Sequence, residues 1–235
     1  MPKVTVHHLE RSRSHRVLWL LEELGLPYEV VRYSRDPETM RAPAALRKIH
    51  PLGKSPVVDV DGVVLAESGA ILEELVDLAG GKLRPEAGSD AHRRYRFFLH
   101  YAEGSLMPPL LVHLITGQLR TKKIPFLVRP IAKAIAGQID GAFTNGELAS
   151  NVKFLENELA SRPFLAGDEL SAADVQMSYP VLALLARSEA SAPAIRAYVA
   201  RLEARPAYAK AIEVGGPIEL DGDDHSPVDQ LPSHP

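Results

Sequence analysis

The sequence contains no cysteine. Disulfide bonds, thiolate zinc sites and a Cys-x-x-Cys redox pair are therefore all excluded. Any thiol chemistry must use a thiol that arrives with a bound molecule. His7 and His8 are adjacent in a strand pattern and point to opposite faces, so they are poor co-ligands and no metal site is expected.

The chain also lacks an excess of positive charge. It has 27 Lys and Arg against 30 Asp and Glu, a formal net charge of −3. Such a chain has no net positive field to gather nucleic acid or an anionic membrane. The basic cluster of Arg120, Lys122 and Lys123 is interpreted as a solvated loop. A small-molecule ligand fits this balance best.

Long hydrophobic runs are missing as well. The longest apolar stretch, 106–115, contains Pro108, Pro109 and His113 and is too short to span a bilayer. The start, Met-Pro-Lys-Val-Thr-Val, lacks the charged and apolar segments of a secretory signal. We therefore expect a cytoplasmic protein with no membrane partner.

What is present is an ordinary globular composition. The 235 residues are 46% hydrophobic and 24% charged, typical of a soluble protein with one or two compact units. Residues 1–80 carry strand and helix patterns in the order β-α-β-α-β-β-α, which predicts a four-stranded mixed sheet with helices packed on it. The predicted elements are strand 3–9, helix 14–24 with Ser14 as N-cap and Gly25 as stop, strand 28–33, helix 44–49, the hairpin strands 57–60 and 63–65, and a helix from Ser68.

Beyond a linker at 81–89 the pattern becomes helical throughout. We predict an all-α domain over 90–214, and a flexible tail over 215–235 that has no apolar period. The fold class is thus an α/β domain followed by an all-α domain. The helical candidates are 90–118, 125–142, 147–160, 172–187 and 192–204.

The first candidate site motif is Ser12-Arg-Ser-His-Arg16, between the first strand and the first helix. Ser12 and Ser14 lie beside a helix N-terminus, where free N–H groups and the macrodipole favour an anion. Taken alone, these serines can equally be simple helix caps.

The second motif is His50-Pro-Leu-Gly-Lys-Ser-Pro56, a loop that enters a strand. A cis Ser55–Pro56 bond would leave the Ser55 N–H and C=O free to pair with an extended peptide. An ordinary trans proline at an edge strand is the alternative from general statistics.

The third motif is Glu67-Ser68 at the start of the last helix of the first domain. A carboxylate and a hydroxyl there can bind the ammonium and carboxylate groups of an amino acid. The alternative is again a helix cap.

In this order the three motifs resemble the N-terminal domain of cytosolic glutathione transferases, with a thioredoxin-like fold. The segment Phe164-Leu-Ala-Gly-Asp-Glu-Leu-Ser-Ala-Ala-Asp174 is similar to that family's buried capping box. Tyr101-Ala-Glu-Gly-Ser-Leu-Met-Pro-Pro109 is similar to a fungal and bacterial subgroup. The resemblance covers about 3–213 and leaves the tail outside.

The resemblance implies a transferase that binds glutathione as co-substrate and activates its thiol for attack on a small hydrophobic electrophile. It also implies a homodimer and a role in detoxification. Ser12 or Ser14 would contact the sulfur. Arg13, Ser55, Pro56, Glu67 and Ser68 would bind the peptide, with Arg41, His50 or Lys54 on its glycyl carboxylate and Glu103 reaching over from a second subunit.

The sequence departs from the family pattern at the sulfur position, where two serines flank an arginine and neither tyrosine nor cysteine is present. The lack of cysteine argues against the omega-like and beta-like branches, which use a protein thiol. The electrophile would lie between the domains. The candidate pocket residues are Met107, Leu110, Leu111, Leu114, Phe126 and Tyr179.

Two other functions share these motifs. One is glutathione-dependent reduction of peroxides or disulfides. The other is a non-catalytic glutathione-binding scaffold, because a fold alone does not establish activity.

Overall fold

The computed structural model describes residues 2–120, 124–188, 190–218 and 220. In the first part of the chain the strands and helices follow the predicted order. They are β1 (Val4–Leu9), α1 (His15–Leu24), β2 (Glu29–Tyr33), α2 (Ala44–Ile49), β3 (Val57–Val60), β4 (Val63–Ala66) and α3 (Ser68–Leu78).

The four strands form one mixed sheet in the order β2-β1-β3-β4. β1 runs parallel to β2, while β3 is antiparallel to both β1 and β4. Val4 and Val6 of β1 are buried, as their period of two requires. The predicted thioredoxin-like fold of this part is confirmed.

Helix α1 is buried along most of its length. It ends at Gly25, which adopts a φ of 72° and donates its N–H to the Leu21 carbonyl. The predicted N-cap position of Ser14 is confirmed, although its side chain does not cap the helix. Ser14 occupies the N-cap position, but its hydroxyl makes no capping hydrogen bond because it points inward to His8 and the Leu9 carbonyl.

The second part is helical, which confirms the predicted all-α class. Its helices within the described residues are α4 (Asp90–Tyr101), α5 (Met107–Leu119), α6 (Arg129–Ile139), α7 (Asn145–Ala160), α8 (Ala172–Arg187), α9 (Pro193–Glu203) and α10 (Pro206–Gly215).

The boundaries differ from the prediction in three places. The single helix expected over 90–118 is interrupted by a π-helical turn at Ala102–Leu106, next to prolines that cannot donate a backbone hydrogen bond. A second π-helical turn, Asp140–Thr144, separates α6 from α7. Helix α10, which begins on Pro206, was not predicted.

A buried capping box anchors the start of α8. The Asp174 carboxylate accepts hydrogen bonds from the Leu165 N–H at 2.8 Å, the Ser171 N–H at 2.9 Å and the Tyr198 hydroxyl at 3.0 Å. Burial raises the pKa of Asp174, while these hydrogen bonds act in the opposite direction. The box ties the loop before α8 to α9.

The hydrophobic core is continuous between the two parts. It joins β1, α1 and α3 to α4, α8 and α10. Among the described residues, each helix is too short or too polar to cross a membrane. Most of the predicted tail, 221–235, and the basic residues Lys122 and Lys123 lie outside the described residues.

Candidate functional site

The three sequence motifs meet at one end of the sheet. The register pairs His7 with Val57 and Val57 with Ala66. The carboxyl end of β1, the start of β3 and the end of β4 therefore lie side by side. This brings the Ser12 loop, Ser55–Pro56 and Glu67–Ser68 together.

A cavity of about 200 Å³ lies between this end of the sheet and the helices α5 and α8. It places two hydroxyl groups, from Ser12 and Ser55, opposite an apolar wall. Its described lining residues are Arg11, Ser12, Arg13, Arg35, Ser55, Met107, Leu110, Leu111, Leu114, Tyr179, Ala183 and Arg187.

Most of the predicted pocket residues are on this wall. Phe126 is not: it lies on the outer surface before α6, and 75% of its area is exposed. The expectation that it lines the pocket rested on its apolar side chain, but large apolar residues often remain on protein surfaces.

The two serines of the first motif occupy different layers. Ser12 lines the cavity, whereas Ser14 lies behind it and is fully buried. Their hydroxyl oxygens are 2.7 Å apart, and the Ser14 N–H donates to Ser12 Oγ at 3.2 Å. A molecule in the cavity can contact Ser12 directly and Ser14 only through it.

Behind Ser14 lies the imidazole of His8. Its Nδ1 is 2.8 Å from Ser14 Oγ, and its Nε2 is 2.8 Å from the Gly215 carbonyl at the end of α10. Burial lowers the pKa of His8, so the ring is neutral at about pH 7. The hydroxyl pair is thus connected to a buried base.

Ser55 stands at the edge of the cavity with the expected backbone. The Ser55–Pro56 peptide bond is cis. Within the described chain, the Ser55 N–H and C=O have no hydrogen-bond partner. The Ser55 hydroxyl donates to the His7 carbonyl at 3.2 Å, which fixes the side chain against β1.

Glu67 and Ser68 have contrasting environments. Glu67 is exposed and has a φ of 70°, a conformation that is strained for a residue with a side chain. Ser68 is buried, and its hydroxyl accepts a hydrogen bond from Arg16 at 3.0 Å. The Glu67 carboxylate faces solvent while Ser68 is held from within.

Arg16 is a site residue that the sequence analysis missed. Its guanidinium is fully buried and also donates to the Gln176 carbonyl of α8 and to Glu103 Oε1, both at 2.7 Å. Burial lowers the pKa of Arg16, and the Glu103 carboxylate opposes that shift. The sequence did contain a signal, because the charged residue Arg16 directly precedes the apolar run of α1.

Glu103 is engaged inside its own chain. Besides Arg16 it contacts Arg13, at 3.6 Å, and its side chain is 32% exposed. The predicted reach to a second subunit therefore competes with two arginines of the same subunit.

The three predicted carboxylate-binding residues stay away from the cavity. Arg41 and Lys54 are exposed, and His50, half-buried, ends α2. Among the described residues, none of the three lines the cavity. They lie on the segment that leads into Ser55.

The cavity rim is rich in arginine. Four arginines line it, and the described lining includes no Asp or Glu. Arg35 is held by the carbonyls of Glu10, Arg11 and Met40 at 2.9–3.2 Å. Sequence reasoning missed Arg11, Arg35 and Arg187 because they come from three separate segments.

Within the described residues, no group of three or more His, Asp or Glu side chains could hold a metal ion. The donors that the cavity offers are hydroxyl, guanidinium and backbone groups, which suit an anionic organic ligand.

Comparisons with known proteins agree with this geometry. Residues 12–78 match the family described as glutathione S-transferase, N-terminal domain, and residues 136–206 match glutathione S-transferase, C-terminal domain. The chain is 34% identical over 224 residues to glutathione S-transferase 1 of Saccharomyces cerevisiae, covering 91% of this chain and 95% of the relative. It is 39% identical over 181 residues to glutathione S-transferase 3 of Schizosaccharomyces pombe, covering 77% and 74%.

Among solved structures, a glutathione S-transferase from Actinobacillus pleuropneumoniae superposes with a TM-score of 0.72. It is 31% identical in sequence, and the match covers 90% of this chain and 92% of that chain.

The Arg16 network predicts a stability effect. In Glu103→Ala, the buried guanidinium loses its charged partner, and we expect the free energy of unfolding to fall by about 3 kcal/mol. Arg13→Ala, which removes a half-exposed partner, should cost less than about 1 kcal/mol. Urea unfolding measures both.

The exposed Glu169→Gln serves as the control and should stay within about 0.5 kcal/mol of the unchanged protein. Equal losses in Glu103→Ala and Arg13→Ala would contradict the central place given to Arg16.

Proposed function

Since this chain belongs to the glutathione S-transferase family, we propose that Ser12 donates the hydrogen bond that holds the sulfur of glutathione as a thiolate. The chain is a glutathione transferase with glutathione as co-substrate. With Ser12 as the sulfur contact, the protein belongs to a serine-type subgroup.

One observation carries this assignment. Ser12 is the residue of the first motif whose hydroxyl reaches the cavity, while Ser14 is buried behind it. Arg13 and the N-terminus of α1 lie beside Ser12, so positive charge and the helix macrodipole favour an anion at the place assigned to the sulfur.

The energies are sufficient for thiol activation. A free thiol has a pKa near 8.5, and lowering it by about two units needs roughly 2.7 kcal/mol. A hydrogen bond to a charged group contributes about 1.5–3 kcal/mol. A helix N-terminus adds about 0.3–1 kcal/mol.

The remaining peptide contacts follow from the end of the sheet. The free N–H and C=O of Ser55 suit the cysteinyl unit, since they can pair with an extended backbone. The Glu67 carboxylate suits the γ-glutamyl ammonium, and Ser68 with the first turn of α3 suits its carboxylate. Arg41, His50 and Lys54 remain candidates for the glycyl carboxylate.

The cavity also suggests the class of electrophile. Its floor is apolar, with Met107, Leu110 and Leu114, and its rim carries four arginines. An apolar electrophile that bears an anionic group would satisfy both surfaces.

The Ser12 proposal is tested by an ultraviolet titration of enzyme-bound glutathione between about pH 5 and 9. We expect the wild type to form thiolate with a pKa well below about 8.5. Ser12→Ala should raise that pKa and lower the turnover rate much more than the affinity for glutathione, since its hydroxyl favours the anion.

Arg196→Gln, on the exposed side of α9, is the control and should leave the thiolate pKa unchanged. Tight binding of glutathione without a shifted pKa would favour a scaffold. Thiolate formation with faster turnover of peroxides or disulfides than of halogenated aromatics would favour reduction.

The electrophile class is tested with a chlorodinitrobenzoate and its neutral amide. After correction for the uncatalysed rates, we expect kcat/KM to favour the carboxylate by about tenfold, the value of one charge-assisted hydrogen bond. Added salt should reduce the preference, because it screens partly exposed charges.

Arg187→Gln, on the cavity rim, should reduce the preference, whereas Arg196→Gln on the exposed side of α9 should not. Equal rates for the two substrates would contradict an anionic electrophile.

We also propose a cytoplasmic homodimer. Phe97 of α4 is 49% exposed and borders a surface groove of about 580 Å³ with Tyr101, Phe143 and Phe154. An aromatic surface of this kind is typical of a protein interface. Analytical ultracentrifugation should give about twice 25.7 kDa at micromolar concentration.

Phe97→Asp should shift the protein toward monomer. Phe126→Asp, which changes a more exposed aromatic residue elsewhere, should leave the dimer intact. A wild-type monomer would contradict the proposal.

A further inference from the structure

A chain of hydrogen bonds leads from the cavity into the interior of the protein. It runs from Ser12 Oγ to Ser14 Oγ at 2.7 Å, from Ser14 Oγ to His8 Nδ1 at 2.8 Å, and from His8 Nε2 to the Gly215 carbonyl at 2.8 Å. Ser14 and His8 are both buried. Buried polar groups aligned in this way are more than a helix cap requires.

The far end of the chain fixes the direction of every proton in it. A carbonyl can only accept, so His8 Nε2 carries the hydrogen that bonds to Gly215. In the neutral ring, Nδ1 is then the acceptor, and Ser14 donates its hydroxyl proton to it. Because that is the only proton of the Ser14 hydroxyl, the 2.7 Å contact is made by Ser12 donating to Ser14. The other acceptor within reach of Ser12, Ser55 Oγ, is more distant, at 3.4 Å.

The close approach of α10 secures this tautomer. Gly215 has no side chain, and a Cβ placed there would lie 2.7 Å from Leu18 Cδ1 and 3.1 Å from His8 Cε1. A side chain at this position would have to displace the end of Leu18 and crowd the His8 ring, so glycine favours the close approach in which its carbonyl accepts from His8.

With the hydrogen bonds in these directions, the Ser12 oxygen can accept a hydrogen bond from a molecule in the cavity. Its own proton points to Ser14, so in the resting enzyme Ser12 cannot yet donate to a sulfur. An arriving thiol can instead donate its S–H to Ser12 Oγ.

We propose that His8 receives the glutathione thiol proton through Ser12 and Ser14. The inference rests on the proposed role of Ser12. The S–H bond breaks and its proton joins Ser12 Oγ, the proton of Ser12 moves to Ser14, and the proton of Ser14 moves to His8 Nδ1. The products are a thiolate and an imidazolium, with no net gain or loss of protons.

The same transfer prepares the catalytic contact. After it, Ser12 holds the proton that came from sulfur and donates it back to the thiolate as a hydrogen bond. Ser14 donates to Ser12, and His8 Nδ1 donates to Ser14. The Leu9 carbonyl, 3.3 Å from Ser14 Oγ, is an alternative acceptor for Ser14.

The surroundings of His8 permit a neutral ring that can still accept a proton. Burial, and the Arg32 guanidinium of β2, lower the pKa of His8, while the Gly215 carbonyl and the Glu10 carboxylate raise it. From α1, His15 faces His8, but burial lowers the pKa of His15 to about 3, so it stays neutral. A nearby thiolate would further favour the imidazolium.

His8 also borders a second cavity, of about 370 Å³. Glu10, Arg32, Tyr33 and Gly215 line it together with His8. The accepted proton is therefore next to a polar space from which it can equilibrate with solvent after the thiolate has reacted.

The test measures two quantities when glutathione binds at about pH 7, where His8 is neutral beforehand. They are the amount of thiolate formed and the number of protons released to the buffer. Ultraviolet absorbance measures the thiolate. Calorimetry in two buffers of different ionisation enthalpy measures the protons. If His8 retains the proton, the wild type releases at least about twofold fewer protons per thiolate than a variant without that base.

His8→Asn keeps an amide near the Nδ1 position but cannot bind a proton, so it should release about one proton per thiolate. Ser14→Ala keeps His8 but removes the hydroxyl that accepts a proton held on Nδ1. Because this loss destabilises the imidazolium, the variant should also release close to one proton per thiolate. It serves as the deciding variant if His8→Asn does not fold.

His7→Asn is the matched control. His7 is its buried neighbour, bonded to Tyr33 on the other face of β1, and its replacement should leave the wild-type ratio unchanged. One proton per thiolate in the wild type would overturn the relay while leaving the role of Ser12 intact. No thiolate at all in the wild type would overturn both.

Discussion

The arrangement of the site depends on the hydrogen bonds of one buried group, the guanidinium of Arg16. It comes from α1 and binds the start of α3 at Ser68, the π-helical turn at Glu103 and the backbone of α8 at Gln176. A buried charge is tolerated only when its partners are well placed, so these elements are held in one relation to each other. Ser12 lies four residues before Arg16, in the loop that leads into α1. The distance between its hydroxyl and the wall formed by α5 and α8 is set by the same contact.

The π-helical turn is what brings a carboxylate to Arg16. Pro108 and Pro109 cannot donate backbone hydrogen bonds, and the helix before them is widened over Ala102–Leu106. This places Glu103 inward and lets α5 begin at Met107, on the wall of the cavity. A local irregularity beside two prolines therefore serves both the charge network and the wall of the cavity.

How far the sequence predicts the structure depends on the range of the interaction. The strands, α1, α3 and the capping box follow from periodicity and from residues three or four apart, and they were predicted. His8 and Arg16 were not recognised as site residues, because their partners lie up to 207 and 160 positions away along the chain. Periodicity predicts which face of a helix or strand is buried, but it does not predict which distant residue packs against that face. Phe126 illustrates the reverse case, since hydrophobicity alone does not place a side chain in a pocket.

In the proposed relay, the two serines of the first motif have separate roles. A hydroxyl has one proton, so a lone serine either accepts the proton of a thiol or donates to a thiolate. Ser12 can do both in turn only if another group takes its proton when the thiol arrives. Ser14, buried and bonded to His8, is placed to take it and pass it on. The doubled serine and the glycine at the end of α10 thus belong to one device, although 201 positions separate Ser14 from Gly215.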